Sequence, residues 1–183
     1  MSLKYALLVM LDFEKSSGYD LAKRFDKSMG FFWTASFQQI YRELHKLEKE
    51  ELVKSEAIAQ MGKPDKNIYE MTTKGEQALQ TWMSEPTKEM TLKDPLLIKL
   101  FAAKHTTKSV LLHELEVQQG HHSAKLSSYR GISSMLENLK EPAHSKYRMA
   151  YHTLQLGIRI EQTWLDWAEE MKREIQSYSE VPE

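Results

Sequence analysis

Six polar side chains between positions 38 and 49 fall on one side of the chain if this segment is helical. At 100° per residue, the apolar side takes Phe37, Ile40, Tyr41, Leu44 and Leu47. In a DNA major groove, Arg reads guanine and Gln reads adenine through paired hydrogen bonds, so the polar side is a candidate for reading base pairs. It carries three cations and no carboxylate, and its members are Gln38, Gln39, Arg42, His45, Lys46 and Lys49.

A second cationic feature lies at a predicted turn. Residues 52–59 and 67–72 alternate in polarity and predict two short strands, joined by a turn that contains Gly and Pro. Lys63 and Lys66 can reach DNA phosphates from this turn, and Pro64 stiffens it, so that less entropy is lost on contact. Either feature alone is also typical of ordinary solvated surface. The order of the elements, three helices followed by a hairpin, favours a nucleic-acid interface.

Capping signals and apolar spacing define the helices that position these groups. Leucines from Leu3 to Leu11 form the stripe of a first helix, Gly30 is placed to end a second, and a third runs to about Glu50. A fourth helix is halted by Pro86. Three N-termini show the spacing of a capping residue followed three positions later by an acidic or amide residue, namely Ser17 with Asp20, Ser36 with Gln39, and Thr73 with Glu76. The expected fold is mainly α with a small β-hairpin.

The second half of the sequence predicts long helices. After a polar linker at 86–95, a short helix at 96–104 leads to a helix at 109–140 and, beyond Pro142, to a last long helix. Apolar residues recur at steps of three and four, and such seams predict that a second copy of the chain covers them. His122 lies on the seam, where a neutral imidazole can hydrogen-bond across helices and a charged one would loosen them. The predicted dimerisation residues are Leu112, Leu115, His122, Leu126, Tyr129, Ile160, Trp164, Trp167 and Met171.

The composition argues against several classes of protein. The chain has 183 residues and no Cys, which removes disulfides, thiolate nucleophiles and Cys-ligated zinc. The seven His lack the His-Glu-x-x-His spacing of a zinc site, so no metal is expected. No Gly-rich phosphate loop or Gly-x-Ser-x-Gly elbow is present, so neither catalysis nor a cofactor is expected. No apolar run is long enough for a membrane span or a signal peptide, which predicts a cytoplasmic protein.

Several motifs, taken jointly, resemble one known family. They are Gly18-Tyr19-Asp20-Leu21 with Phe25, Gln39-Ile40-Tyr41-Arg42-Glu43-Leu44, Leu52-Val53, and Gly62-Lys63-Pro64-Asp65-Lys66 with Tyr69 and Thr72. This set resembles the PadR family of winged helix-turn-helix transcriptional regulators. The segments Gly30-Phe31-Phe32-Trp33 and Trp164-Leu165-Asp166-Trp167-Ala168 are similar to its AphA-like branch. The likeness is strong over residues 1–85 and loose over the remainder.

The resemblance implies a winged helix-turn-helix domain at 1–85, a linker at 86–95 and a helical dimerisation domain at 96–183. It implies a homodimer on a roughly palindromic double-stranded DNA operator, with repression as the favoured outcome. Many relatives have Gly where this chain has Glu51, so helix 3 should either lose stability or end differently here. The implied DNA-binding residues are Ser36, Gln38, Gln39, Tyr41, Arg42, His45, Lys46, Lys63, Pro64 and Lys66.

Two alternatives stay open at the level of sequence. Residues 1–85 hold 12 Lys+Arg and 13 Asp+Glu, whereas DNA-binding domains are usually basic, so a winged-helix module that binds another protein is the second hypothesis. The aromatic run Phe31, Phe32, Trp33 fits either a pocket for an unidentified small-molecule effector or packing between helices 2 and 3, and packing is favoured.

Overall fold

The computed structural model describes residues 3–30, 32–58, 66–87, 92–141 and 143–179. The chain divides into two compact units, Met1–Glu89 and Met90–Glu183, called here the N-terminal unit and the C-terminal unit. The architecture is mainly α with one small antiparallel sheet, which confirms the predicted fold class.

The N-terminal unit contains the four helices and the two hairpin strands that the sequence predicts, and one further strand. That extra strand, β1, pairs with β3, so the sheet has the order β1-β3-β2. It was not predicted, because two adjacent serines carry no alternating pattern. The elements are α1 (Leu3–Phe13), β1 (Ser16–Ser17), α2 (Gly18–Ser28), α3 (Phe37–Lys49), β2 (Val53–Ile58), β3 (Lys66–Met71) and α4 (Thr73–Met83).

Central strand β3 connects the hairpin to the α1–α2 junction. Tyr69 of β3 lies opposite Ser16 of β1 on one side and Ser55 of β2 on the other. Its side chain is buried, and this burial raises the pKa of the phenol. The base of the hairpin is thereby fixed to the start of α2.

One apolar core joins the first three helices. Its largest side chains are at most 1 % exposed, and burial of each contributes about 1.5–3 kcal/mol. Because α3 supplies every third or fourth residue to this core, the direction of its opposite face is fixed by packing. The core side chains are Leu7 and Leu8 from α1, Leu21 and Phe25 from α2, and Ile40, Leu44 and Leu47 from α3.

Side-chain caps begin the helices close to the predicted positions. Ser17 Oγ accepts the backbone N–H of Asp20 at 3.1 Å, as predicted. The prediction for α4 was wrong by one residue, because Thr72 rather than Thr73 is the cap. Thr72 still has extended backbone at the end of β3, and its Oγ1 accepts the N–H of Gly75 at 3.1 Å.

The C-terminal unit is built on two long helices. A short helix, α5 (Pro95–Phe101), begins at Asp94, whose Oδ1 accepts the N–H of Leu96 at 2.8 Å. It is shorter than predicted, because a turn of 3₁₀ helix follows at Ala103–His105. The long helices are α6 (Lys108–Glu137) and α7 (Ala143–Ser177). None of the helices in the described part of the chain is long and apolar enough to cross a membrane.

Polar pairs show that α6 and α7 run antiparallel and pack on each other. Gln119 hydrogen-bonds Glu169 at 2.6 Å, and Gln155 donates to Ser133 at 2.8 Å, so partners farther along α6 lie earlier along α7. Between these pairs, His122 hydrogen-bonds the buried carboxylate of Glu161. The prediction that His122 hydrogen-bonds across helices is confirmed, and both helices belong to the same chain.

Three of the nine predicted dimerisation residues are already covered within a single chain. Leu115, Leu126 and Tyr129 are at most 7 % exposed within a single chain, because α7 folds back on α6 and covers them. Ile160 differs, since it is 49 % exposed. Four other predicted seam residues, Leu112, Trp164, Trp167 and Met171, are half-buried against the core of the same unit.

Gly75 offers a direct test of the packing between α4 and the hairpin. A Cβ at this position would lie 2.2 Å from the backbone oxygen of Leu52, so the backbone must shift. We expect Gly75→Ala to destabilise the protein by about 1–3 kcal/mol. The control is Gly131→Ala on α6, where no described atom apart from the neighbouring residues and backbone of its own helix lies within 4 Å of the added Cβ, and the helix should gain about 0.5–1 kcal/mol. Urea denaturation followed by circular dichroism measures both, and equal shifts for the two variants would contradict the packing.

Glu51 ends α3 in the left-handed conformation, with φ of 59°. Its N–H donates to Glu48 O at 2.9 Å and the N–H of Leu52 donates to Leu47 O at 2.9 Å, the paired bonds of a stop that favours glycine. The expected loss of stability therefore has a defined origin, because this conformation costs an L-residue about 1–2 kcal/mol.

We expect Glu51→Gly to raise the melting temperature, since glycine adopts this conformation without strain. Glu51→Ala is the matched control, because it removes the exposed ion pair with Lys74 but keeps the strained backbone. Thermal unfolding distinguishes them, and a Gly variant that melts no higher than the Ala variant would rule out strain at this position.

Candidate nucleic-acid interface

Helix α3 turns its polar face outward, as predicted. The three buried side chains Ile40, Leu44 and Leu47 are at most 1 % exposed and hold the helix against the core. The opposite face is open to solvent and presents two amides, an imidazole and three cations. Its exposed residues are Gln38, Gln39, Arg42, His45, Lys46 and Lys49.

A reciprocal capping box begins α3. The N–H of Gln39 donates to Ser36 Oγ at 3.2 Å, and the N–H of Ser36 donates to Gln39 Oε1 at 2.8 Å. Adenine recognition needs both the oxygen and the nitrogen of a side-chain amide, so Gln39 can read adenine only by giving up half of this cap. Gln38 is the amide on this face that can read a base without breaking the cap.

The carboxylates at the end of α3 are directed toward the protein. Glu48 accepts a hydrogen bond from Ser55 Oγ, and Glu50 pairs with Lys4 at 2.7 Å. The hydrogen bond from Lys4 lowers the pKa of the Glu50 carboxyl. Of the residues that the structure describes, none places a carboxylate within ion-pair distance of Arg42 or Lys49. Glu50 also lies 3.9 Å from Lys46, so the positive charge of the outward face rests mainly on Arg42 and Lys49.

Phe37 and Tyr41 share the apolar side of the helical wheel, but neither lies in the core. Phe37 is 46 % exposed and Tyr41 is 38 % exposed. The core ends at the N-terminal edge of the α2–α3 interface, where Gly18 leaves room for a ring. A Cβ on Gly18 would lie 2.6 Å from Tyr41 Cε1, so the Tyr41 ring packs against the start of α2. Both aromatic residues thus border the polar face.

Of the hairpin residues predicted to contact DNA, Lys66 is the one that the structure describes. Lys66 begins β3, and its Nζ lies 2.6 Å from Asp20 Oδ2 in α2. Hydrogen bonds from Lys66 and then Ser17 lower the pKa of the Asp20 carboxyl. Lys63 and Pro64 lie outside the described residues, so their predicted phosphate contacts stay predictions.

The aromatic residues before α3 differ in how far they are buried. Trp33 packs partly buried against the N-terminal core, in agreement with the packing interpretation. Phe32 is 54 % exposed, so the expectation of core packing was wrong for that residue. Phe31 lies outside the described residues.

The sequence predicts Asp20 only as part of the capping spacing that begins α2, and the surface that Tyr19 and Lys23 share with α3 was not predicted. The Tyr19 ring lies 6.1 Å from the Phe37 ring, and Lys23 Nζ lies 4.5 Å from the Tyr19 centroid. A hydrogen bond with Tyr19 raises the pKa of the Lys23 amino group. Asp20, Lys23 and Lys27 recur at steps of three and four, and this charged spacing was the signal in the sequence that could have revealed the surface.

Comparisons with known families and proteins agree with this geometry. Residues 7–81 match the model of the transcriptional regulator PadR-like family, and residues 92–176 match the model described as virulence activator alpha C-term. A probable transcriptional regulator of Mycobacterium tuberculosis is 32% identical over 96% of this chain and 98% of its own length. The negative transcriptional regulator PadR of Bacillus subtilis is 31% identical over 91% of this chain and 93% of its own.

Two solved structures extend the likeness to the fold. Bacillus subtilis PadR in complex with operator DNA has a TM-score of 0.78 and 29% identity, and the match covers 94% of this chain and 98% of that one. The Vibrio cholerae virulence activator AphA has a TM-score of 0.75 and 28% identity, with coverage of 96% and 99%. The chain belongs to the PadR family of transcriptional regulators.

Proposed function

We propose that the protein is a homodimeric, sequence-specific DNA-binding repressor that acts on a roughly palindromic operator. The observation that carries this proposal is the outward face of α3, where Gln38, Arg42 and Lys49 are exposed. A relative of 29% identity has been solved with operator DNA, and another structure-matched relative is named an activator. Repression is proposed from the relative that is named a negative regulator.

Base reading rather than bulk charge would supply the specificity. The chain has a net charge of −1, so its long-range attraction for DNA is weak. Charges farther than roughly 8 Å from a phosphate are largely screened at physiological salt. Because the cations of α3 lie on one face, a phosphate near that face senses them more strongly than it senses distant carboxylates. The paired hydrogen bonds of Arg42 with guanine and of Gln38 with adenine would then discriminate between sites.

The dimer is proposed through an exposed apolar stripe on α7. Met149, Leu156 and Ile160 are 68 %, 60 % and 49 % exposed in the single chain, and they are spaced seven and four residues apart. This spacing places them on one face of the helix, the pattern that a second helix covers. Two copies would place two α3 helices on DNA, about one helical turn or roughly 34 Å apart.

A small-molecule effector is a further part of the proposal. Bacillus subtilis PadR has been solved with p-coumaric acid. In this chain, the half-buried Trp33 and the exposed Phe32 offer aromatic surface beside the start of α3. Titration of the protein–DNA complex with p-coumaric acid, followed by fluorescence anisotropy, measures whether such an acid releases the DNA.

Selection of bound sequences from a random duplex pool tests the proposal as a whole. We expect enrichment of an inverted repeat, because two identical subunits related by a twofold axis read identical half-sites. Enrichment of a single half-site would contradict the dimer. Recovery of no sequence above background would favour a module that binds another protein.

Arg42 is the side chain expected to read a base on α3. We expect Arg42→Ala to cost about 1–3 kcal/mol of binding to the selected duplex and to relax the preference at one base position. Arg173→Ala is the matched control, since its guanidinium bonds only the Glu169 carbonyl of its own helix among the described contacts. Anisotropy titrations on selected and scrambled duplexes measure both variants. Equal affinities of the parent and Arg42→Ala for the selected duplex would remove Arg42 from the interface.

A further inference from the structure

An open concave surface of about 510 Å³ lies between α2 and the strands β1 and β3. Among the described residues that line it, Ile68 is the only apolar one, and two, Glu14 and Asp20, are acidic. We call it the α2 concavity. The cations that line it are Lys15, Lys23, Arg24, Lys27 and Lys66.

The two carboxylates neutralise only two of these cations. Arg24 pairs with Glu14, and Lys66 pairs with Asp20 at 2.6 Å. For the other three lysines, the described part of the chain places no carboxylate within ion-pair distance. The α2 concavity therefore holds an excess of positive charge, although the whole chain has a net charge of −1.

The spacing of the lysines that have no carboxylate partner among the described residues suits a polyanion. Lys23 and Lys27 are exposed and lie four residues apart on α2, so their Cβ atoms are about 6 Å apart on one face. Double-stranded DNA carries one charge per roughly 1.7 Å of its axis, which gives such a row several phosphates to contact. A single small anion bound at this open, exposed surface would gain far less binding free energy than a polyanion.

The α2 concavity is continuous with the face of α3. Phe37 in the first turn of α3 lies 6.1 Å from the Tyr19 ring, and the amino group of Lys23 lies 4.5 Å from that ring. On the other side, Lys66 begins the hairpin strand β3. The cations thus start beside the N-terminus of the helix proposed to enter the major groove.

We propose that the α2 concavity binds phosphates of the operator backbone next to the groove that α3 enters, with Lys23 and Lys27 as the main contacts. This inference rests on the proposed DNA-binding function. An acidic protein segment is the weaker alternative, because a protein interface needs an apolar centre and Ile68 is the one apolar residue among the described lining of the α2 concavity. Asp20 limits the affinity, since its carboxylate occupies Lys66 and faces the phosphates.

The test compares full-length variants on two 30-base-pair duplexes, one taken from the selection and one of mixed sequence. We expect Lys23→Gln/Lys27→Gln to weaken binding to both duplexes by the same factor. Loss of two phosphate contacts lowers the salt slope by about two units, so between 50 and 200 mM salt the variant should lose about tenfold less affinity than the parent. The selected consensus should stay unchanged. Asp20→Asn should bind both duplexes more tightly, with a steeper salt slope.

The control is Lys104→Gln/Lys125→Gln, which makes the same change of charge in the C-terminal unit. Circular dichroism confirms that each variant is folded. Parent affinity and parent salt slope in Lys23→Gln/Lys27→Gln would overturn the proposal, as would an equal effect of the control. A variant that binds DNA normally but no longer binds poly-glutamate would show instead that the surface binds an acidic protein segment. Failure of the parent to prefer the selected duplex would instead overturn the proposed function.

Discussion

Burial of one face of α3 is the constraint on which the interface depends. Ile40, Leu44 and Leu47 are enclosed by side chains of α1 and α2, so the helix cannot rotate without exposing them. A rotation of 100° would bring a charged or amide side chain into the core, where an unpaired polar group costs several kcal/mol. The direction of the polar face is therefore set by apolar packing on the opposite side of the same helix.

Local signals in the sequence predicted much of this arrangement. Capping spacings found the start of α2 and α3, and apolar periodicity found the buried face, because both depend on residues within a few positions of one another. Strand β1 was missed because its two residues form a strand only through pairing with β3, far along the chain. Phe37 was misplaced because angular position on a helix does not reveal where the neighbouring core ends.

The C-terminal unit shows more clearly what local sequence patterns cannot predict. A heptad seam indicates that a helix has a partner, but it does not indicate whether the partner lies in the same chain. Leu115 and Leu126 are covered by α7 of their own chain, whereas Met149 and Leu156 are left exposed on its outer side. The α2 concavity was missed for a related reason, since Lys15, Lys23 and Lys66 come together only after the sheet forms.

The hydrogen bond between His122 and Glu161 has a consequence for the alignment of α6 with α7. Apolar side chains of similar size would tolerate a slide by one heptad, roughly 10 Å along the helix axis. Such a slide would leave the carboxylate of Glu161, a residue that is 6 % exposed, without the imidazole of His122. It would also separate the His122 ring from the Trp164 ring, which stack with their centroids 3.8 Å apart. The apolar seam thus holds the helices together, while this polar pair selects one alignment. Every copy of the chain then presents Met149, Leu156 and Ile160 at the same height, which a twofold-symmetric pairing of two copies requires.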